Sequence, residues 1–221
     1  MSWSCACDNI MSAPEAAADA FHAVAISPER MACMRVRAAL FPISHALCSN
    51  ECTAASSAGG MTPCNRREAR LAMLTVPLKA MPSLAITLAP MLAGKVVIDT
   101  GNAYERRDGE IAAQARSTKG GSAVWAARMF PASRWVKAFN TVFFKVLESE
   151  AHREGDKVGI PLAGDDRDAV EQVAALVRDA GFEPVITGPL AQGQTFEPDT
   201  PVYNTGMTGS QVRQALGVKP V

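Results

Sequence analysis

The chain has 221 residues, 48% of them hydrophobic and 20% charged, and its 22 basic and 22 acidic side chains balance. That composition can bury a core, is not that of a disordered chain, and fits one domain with or without an appendage. There is no basic stripe and only 6% aromatic content, so no nucleic acid is expected as a partner. No apolar run approaches the roughly 18 residues of a membrane span, and Asp8, Glu15 and Asp19 interrupt the N-terminal stretch where an export signal would lie, so a cytoplasmic protein without membrane contact is expected.

Residues 1–67 are rich in Ala, Ser, Met, Cys and Arg, and contain no β-branched run bounded by turns. A weak helical stretch runs from Pro14 to about Ala25. Pro28, Pro42 and Pro63 break the remainder, and Ser56-Ser57-Ala58-Gly59-Gly60 is a loop. All six cysteines (Cys5, Cys7, Cys33, Cys48, Cys52 and Cys64) fall in this stretch. Disulfides need an oxidising compartment that no export signal supports. The spacings C-x-C and C-x-x-x-C, with His22 and His45 off finger spacing, do not make a zinc site. Reduced thiols are therefore expected, and no metal.

From Leu71 the pattern changes. Leu71 to Val76, closed by Pro77, is a buried strand. Lys79 to Leu92 is a helix, with Met81, Leu84, Ala85, Leu88 and Leu92 at helical spacing, Pro82 in its first turn, Pro90 in its last and Gly94 at its end. Val96 to Asp99 is a second strand, ended by Thr100-Gly101-Asn102. After a turn at Asp108-Gly109, a helix spans Glu110 to Arg116, and Ser122 is placed to cap another through Met129. Trp135 to Phe139 is a strand ending in Asn140-Thr141, and Val158 to Ala163 is another. Asp166 to Ala180 is the most regular helix, closed by Gly181, and Glu183 to Thr187 is the last strand, followed by Gly188-Pro189. Strands alternating with helices specify an α/β fold with a parallel, Rossmann-like sheet and helices on both faces, beyond an N-terminal third that is irregular or partly helical.

Ligands of such sheets bind beyond the carboxyl ends of the strands. Asn140-Thr141 follows a buried strand, where an amide and a hydroxyl could meet a ring carboxamide or a carbonyl, or could merely turn the chain. Asn102 has the same two readings. Asp165 and Asp166 are either paired carboxylates or, more simply, a helix cap and its neighbour. His152 lies in a charged stretch and is expected in solvent. Trp125 and Trp135 are expected in the core. No G-x-S-x-G elbow supports a hydrolase. No G-x-G-x-x-G exists anywhere to hold a pyrophosphate.

Five segments resemble the NADPH-dependent F(420) reductase family in the same order. They are Val76-Pro77; Gly94-Lys95-Val96-Val97-Ile98-Asp99-Thr100-Gly101-Asn102; Val136-Lys137-Ala138-Phe139-Asn140-Thr141; Leu162-Ala163-Gly164-Asp165-Asp166; and Gly181-Phe182-Glu183-Pro184 with Thr187-Gly188-Pro189-Leu190. The resemblance runs from about Ala69 to Thr200. It implies an NADP-binding Rossmann domain with a small C-terminal lobe over residues 69–221, and direct hydride transfer between NADPH and a deazaflavin of F(420) type or a related small molecule. Positioning two rings needs no side-chain acid or base, so no catalytic residue is assigned. By the same resemblance Val76, Pro77, Asn102, Phe139, Asn140 and Thr141 would contact the cofactor, and Gly188, Pro189 and Leu190 the second substrate. Residues 1–68 occupy the place of the family's glycine-rich, phosphate-binding half without its sequence. Their matching length points to an out-of-frame reading of that half, rejoined near Arg67 to Leu71. The competing expectations are a non-catalytic remnant or binding protein, and a different Rossmann reductase of pyrroline-carboxylate reductase or hydroxyacid dehydrogenase type. A sheet lacking its first strands would expose an edge and apolar surface that a homodimer could cover.

Overall fold

A computed structural model of the chain describes residues 22–26 as backbone and residues 70–219 in full. All six cysteines, the loop expected over residues 56–60 and most of the helix expected over residues 14–25 lie outside the described residues. Where that helix does overlap them, the structure has a strand instead, β1 (His22–Ile26). Its backbone pairs antiparallel with β2 (Leu71–Thr75), from His22 opposite Thr75 to Ile26 opposite Leu71. Pairing satisfies the backbone groups along the open side of β2, whereas a short, weakly patterned helix is marginal on its own.

The remaining elements follow the sequence reading closely. A 3-10 turn (Leu78–Ala80) leads into α1 (Met81–Leu92), with Pro82 in the first turn and Pro90 inside the last. Then come β3 (Val96–Asp99), α2 (Glu105–Asp108), α3 (Glu110–Ser117), α4 (Gly121–Ala127) and β4 (Arg134–Lys137). After α5 (Phe144–Ser149) the chain forms β5 (Gly159–Gly164), α6 (Arg167–Asp179) and β6 (Glu183–Gly188). A seven-residue 3-10 segment (Leu190–Phe196) and α7 (Gly209–Leu216) complete it. Three short helices, α2, α5 and α7, escape the sequence reading because none offers an apolar stripe long enough to recognise.

The six strands lie side by side in chain order. Strands β2, β3 and β4 are parallel, and so are β5 and β6, but β5 runs antiparallel to β4. The reason is the connection. Between β4 and β5 stands only the six-residue α5, rising about 9 Å at 1.5 Å per residue, so the chain re-enters the sheet from the end at which it left. The thirteen-residue α6 is long enough to recross the sheet and restore parallel pairing. The carboxyl ends of β2, β3 and β4 therefore share one edge of the sheet, here called the upper edge. The carboxyl ends of β5 and β6 lie at the lower edge.

Both faces are covered. Leu71, Val96, Ile98 and Val136 point to the face packed by Val170, Val173 and Val177 of α6. Ala72, Leu74, Val97 and Trp135 point to the other, against Met81 of α1, Ala112 of α3 and Ala123 and Ala126 of α4. This alternation is the period-two geometry of strands buried on both sides. A third cluster, of Phe196, Val202 and Val212 with Ala163 and Val185, seats the C-terminal segment on β5 and β6.

Candidate functional site

The upper edge is built from the ends of three strands. The Thr100 hydroxyl donates to the Leu74 carbonyl at 3.2 Å and meets the Thr75 hydroxyl at 3.0 Å, drawing the β2 and β3 ends together. Val76 and Pro77 sit here, Val76 buried and Pro77 half-buried at the start of the 3-10 turn. Strand β4 ends at Lys137, two residues before the Phe139 that the sequence indicates. Phe139 has φ +62°, a left-handed conformation that costs a bulky residue on the order of 1–2 kcal/mol and ends regular pairing. The kink turns Asn140 and Thr141 back under the edge, where both are buried.

Asn102 and Asn140 are clasped to each other. Asn102 Nδ2 donates to the Asn140 carbonyl at 2.9 Å, and Asn140 Nδ2 donates to Asn102 Oδ1 at 3.1 Å. Asn140 Nδ2 also donates to the Phe196 carbonyl at 3.0 Å. Two acceptors on one side fix which way the amide faces, so Asn140 Oδ1 is turned away from them. That oxygen is buried without a hydrogen-bond partner, as is the neighbouring Thr141 Oγ1. A buried polar atom left unpaired costs about 1–3 kcal/mol, so two adjacent ones at a strand end call for an explanation. Asn102 by contrast is fully engaged. Its Nδ2 reaches the Tyr203 hydroxyl at 3.3 Å, and its carbonyl accepts from Arg107 at 2.7 Å.

Tyr104 and Tyr203 share a hydroxyl–hydroxyl hydrogen bond, and the Arg107 guanidinium lies 5.1 Å from the Tyr104 ring centroid. Burial, and next the bond to Tyr104, push the Tyr203 phenol well above its ordinary ionisation range. Both tyrosines line an open cleft of about 420 Å³ with Arg106, Arg116 and Asp199. The Asp199 carboxylate, 2.8 Å away, holds Arg116 charged, raising it further above its usual range. Arg106 forms no ion pair among the described residues.

Beneath the asparagines lies a buried charge cluster. Lys137, wholly inaccessible, directs Nζ at the Gly101 carbonyl (2.8 Å), Asp99 Oδ2 (3.4 Å) and Ser122 Oγ (3.4 Å). Asp99 Oδ1 accepts from the Gly101 amide at 2.8 Å. Ser122 does not cap α4 with its own oxygen as expected. Gly120 is the capping residue, and both the amide and the hydroxyl of Ser122 donate to Glu197 Oε1, at 2.7 and 2.6 Å. A carboxylate brought in from far along the chain supplies the anion that a helix N-terminus favours. Gly121, at φ +79°, makes room for it, since a Cβ there would lie 2.8 Å from Glu197 Oε1. Gly193 does the same for Lys137, whose Cδ would lie 2.9 Å from an added Cβ.

Six of the nine residues singled out in sequence, Val76, Pro77, Asn102, Phe139, Asn140 and Thr141, therefore share the upper edge. Gly188, Pro189 and Leu190 do not join them. They follow β6 at the lower edge, where the Leu190 amide donates to Asp165 Oδ1 at 2.9 Å. Asp166 is the N-cap of α6, accepting from the Ala169 amide at 2.7 Å, so the two aspartates serve turns rather than acid–base chemistry. His152 is exposed, Trp125 is half-buried, and Trp135 is core, stacked 5.1 Å from Phe130. Among the described residues no cluster of His, Cys, Asp or Glu could hold a metal ion, and no helix is long and apolar enough to cross a membrane.

Lys137, Glu197, Tyr104 and Tyr203 were not found by sequence reasoning. For one pair a signal existed. Asp99 and Lys137 end two neighbouring buried strands and stand opposite each other in register, and opposite charges at such positions need one another.

No family model matches the chain. In sequence it is 31% identical over 111 residues to the metalloreductase STEAP3 of Rattus norvegicus, a match covering 50% of this chain and 21% of that protein. The chain thus spans about a fifth of the length of that curated relative. In structure it is similar to a hypothetical protein from Sinorhizobium meliloti, at 26% identity and a TM-score of 0.51, covering 64% of this chain and 68% of the other. It is also similar to a protein of Arthrobacter assigned as an F420-dependent NADP-reductase, at 19% identity and a TM-score of 0.47, covering 58% and 59%.

Proposed function

We propose that the chain is the rear half of an NADP(H)-dependent oxidoreductase whose nicotinamide end sits on the upper edge, at the ends of β3 and β4. The observation that carries this reading is the orphaned Asn140 Oδ1 beside the orphaned Thr141 Oγ1. A ring carboxamide complements that pair: its N–H would be accepted by Asn140 Oδ1, and its carbonyl would accept from the Thr141 hydroxyl. Val76 and Pro77 would give the ring an apolar wall, and Phe139 would shield it from water. The bound nicotinamide supplies a hydride; the side chains bind, orient and exclude water, with no acid or base required. The resemblance of the strand-end motifs supports the assignment, as does the match to a metalloreductase over half of this chain.

The second substrate is a small hydride acceptor, most specifically a deazaflavin of F(420) type. The cleft beside Tyr104 and Tyr203, whose Tyr203 hydroxyl meets Asn102, would receive it, rather than Gly188 to Leu190 on the lower edge. A homodimer belongs to the same reading, pairing or covering an edge strand of the sheet. One observation favours a second reading, a binding protein or non-catalytic remnant. The chain has no G-x-G-x-x-G, the motif whose backbone amides normally hold a dinucleotide's pyrophosphate and supply much of its affinity.

Fluorescence titration of the full chain with NADPH, followed by addition of a deazaflavin or flavin, separates the two. Saturable binding and oxidation of the reduced nicotinamide are expected. Binding without transfer to any acceptor favours the second reading, and no binding at all removes the first. Translating the gene in its other frames tests residues 1–68: a glycine motif in another frame is the expected result.

A further inference from the structure

Lys137, Asp99, Ser122 and Glu197 are not needed to contact a cofactor, yet they are among the most deeply buried polar side chains described, at 0%, 1%, 0% and 7% exposure. Their contacts close on themselves. Lys137 donates to the carbonyl of Gly101, the residue before Asn102. Asn102 is clasped to Asn140. Asn140 donates to the carbonyl of Phe196, the residue before Glu197. Glu197 accepts from Ser122, whose oxygen lies 3.4 Å from Lys137 Nζ. The ring passes through the ends of β3 and β4, the start of α4 and the end of the 3-10 segment, and it returns to the ammonium on which it began.

An ammonium has three donors and no acceptor, and here three oxygens receive them. Nothing is left over for chemistry, so Lys137 is not a reacting group. What it can do is hold two loops that no regular pairing holds. The Gly101-Asn102 turn lies beyond the end of β3, and the Phe196-Glu197 turn lies beyond the 3-10 segment. Each contributes to the orientation of the Asn140 amide. Buried polar networks specify one arrangement in this way, and here the Asn140 oxygen alone among the ring's buried side-chain atoms is left unpaired.

The geometry points to Lys137 as a positioning residue: through Gly101 on one side and Ser122–Glu197 on the other, it fixes the direction in which Asn140 presents its free oxygen. The consequence for the nicotinamide end rests on the reading above, but the positioning itself does not.

The test uses the full chain carrying Lys137→Met together with Asp99→Asn, which removes the buried ion pair at unchanged net charge and leaves Glu197 its two donors from Ser122. The carboxamide introduced by Asp99→Asn keeps an oxygen for the Gly101 amide. The first readout needs no cofactor: solvent exchange of the Asn102 and Asn140 side-chain amides by NMR, assigned with Asn102→Asp and Asn140→Asp. Both are expected to exchange slowly in the parent and about tenfold faster or more in the double variant, the equivalent of losing one oriented hydrogen bond. The Leu190 backbone amide, held by Asp165 at the lower edge, is expected to be unchanged. The second readout is affinity for NADPH relative to adenosine 2′,5′-bisphosphate, which lacks the nicotinamide. That ratio is expected to fall about tenfold.

Unchanged asparagine exchange overturns the proposal. So does equal acceleration at Leu190, which would make Lys137 a general stabiliser. If the asparagines respond but the parent binds no NADPH, the positioning role stands and the nicotinamide reading falls. Should the double variant not fold, Ser122→Ala opens the ring at one residue, removing its hydroxyl bonds to Glu197 and Lys137 while the Ser122 amide keeps Glu197 in place, and the same asparagine response, smaller, is required of it.

Discussion

At the carboxyl ends of β3 and β4, an aspartate, a lysine and a glutamate are buried in one hydrogen-bonded ring. At the carboxyl ends of β5 and β6, Asp165 is exposed and Asp166 half-buried, and each accepts one backbone amide. Both edges place acidic residues just after buried strands, so residue type alone does not separate them. Burial and connectivity do. The lower edge gives its two carboxylates one backbone amide each, 3 and 25 residues away, leaves them at least partly in water, and buries Trp135 Nε1 without a partner. The upper edge draws partners from Gly101, Ser122, Asn140 and Glu197, excludes water, and still leaves two polar atoms unpaired. An edge that commits so many long-range contacts to orienting one amide, and then buries that amide's oxygen without a partner, is the edge on which the proposed nicotinamide site rests.

The widest gap between the edges should appear when one cation is removed from each. Lys137→Met alone leaves Asp99 without its counter-charge in a site of 1% exposure. Breaking a buried pair in this way costs about 3–5 kcal/mol. Arg134→Ala removes the partner of Asp166 at 3.9 Å, where both side chains are about a third exposed, and should cost under about 1 kcal/mol. Urea unfolding midpoints of the two variants measure the difference. Equal losses would mean that the upper cluster is not the tighter of the two.

A smaller effect is expected at Gly121. Alanine there must hold φ +79° and push against Glu197 Oε1, a combined cost of about 1–3 kcal/mol. The asparagine side-chain amides should loosen as well, because Glu197 would have to withdraw from Ser122. At the lower edge, Asp166→Ala removes the cap of α6 at about 1 kcal/mol. It should lower the melting temperature while leaving NADPH affinity and the asparagine signals untouched. A change in affinity with Asp166→Ala would bring the lower edge into the site and erase the distinction.

The frame of the molecule was readable because buried parallel strands advertise themselves. Leu71 to Thr75, Val96 to Asp99 and Gly159 to Gly164 are apolar runs bounded by turn residues, and α6 carries its apolar stripe over thirteen residues. The direction of β5 was not readable, since it depends on whether the connection from Lys137 to Gly159 recrosses the sheet, and α5 is too short and too polar to declare itself. That reversal is why Gly188 to Leu190, placed by resemblance beside the other site residues, end on the far edge. Asn140 and Thr141 were legible as a polar pair after a strand. The partners that aim Asn140 were not, because Phe196 and Asn140 are 56 residues apart and Ser122 and Glu197 are 75 apart. Lys137 was hidden for a simpler reason: a lysine inside a strand is ordinarily a solvent-facing one, and only its register with Asp99 says otherwise.

The gentlest probe of the upper edge is alkaline pH. Burial and the bond to Tyr104 raise the Tyr203 phenol above its ordinary value of 10.0, and unfolding returns it there. Below pH 10 both states keep the proton and the group contributes its full share to stability. As pH rises past 10 the unfolded chain releases the proton while the folded chain retains it, so stability declines through the window up to the folded value. Tyr203 is only half-buried, so solvent screening keeps the effect small. Tyr203→Phe removes the group that titrates, and its unfolding midpoint should be flatter than the parent's between pH 9 and about 11. Phenylalanine also releases Asn102 Nδ2 from one of its two acceptors and leaves the contacts of Lys137 itself in place. Asn102 exchange should therefore quicken while Asn140, still held by Phe196 and by Asn102 Oδ1, stays slow. A parallel loss at both asparagines would show that the tyrosine pair and the buried ring act as one unit, and that the upper edge is anchored from the cleft as much as from Lys137.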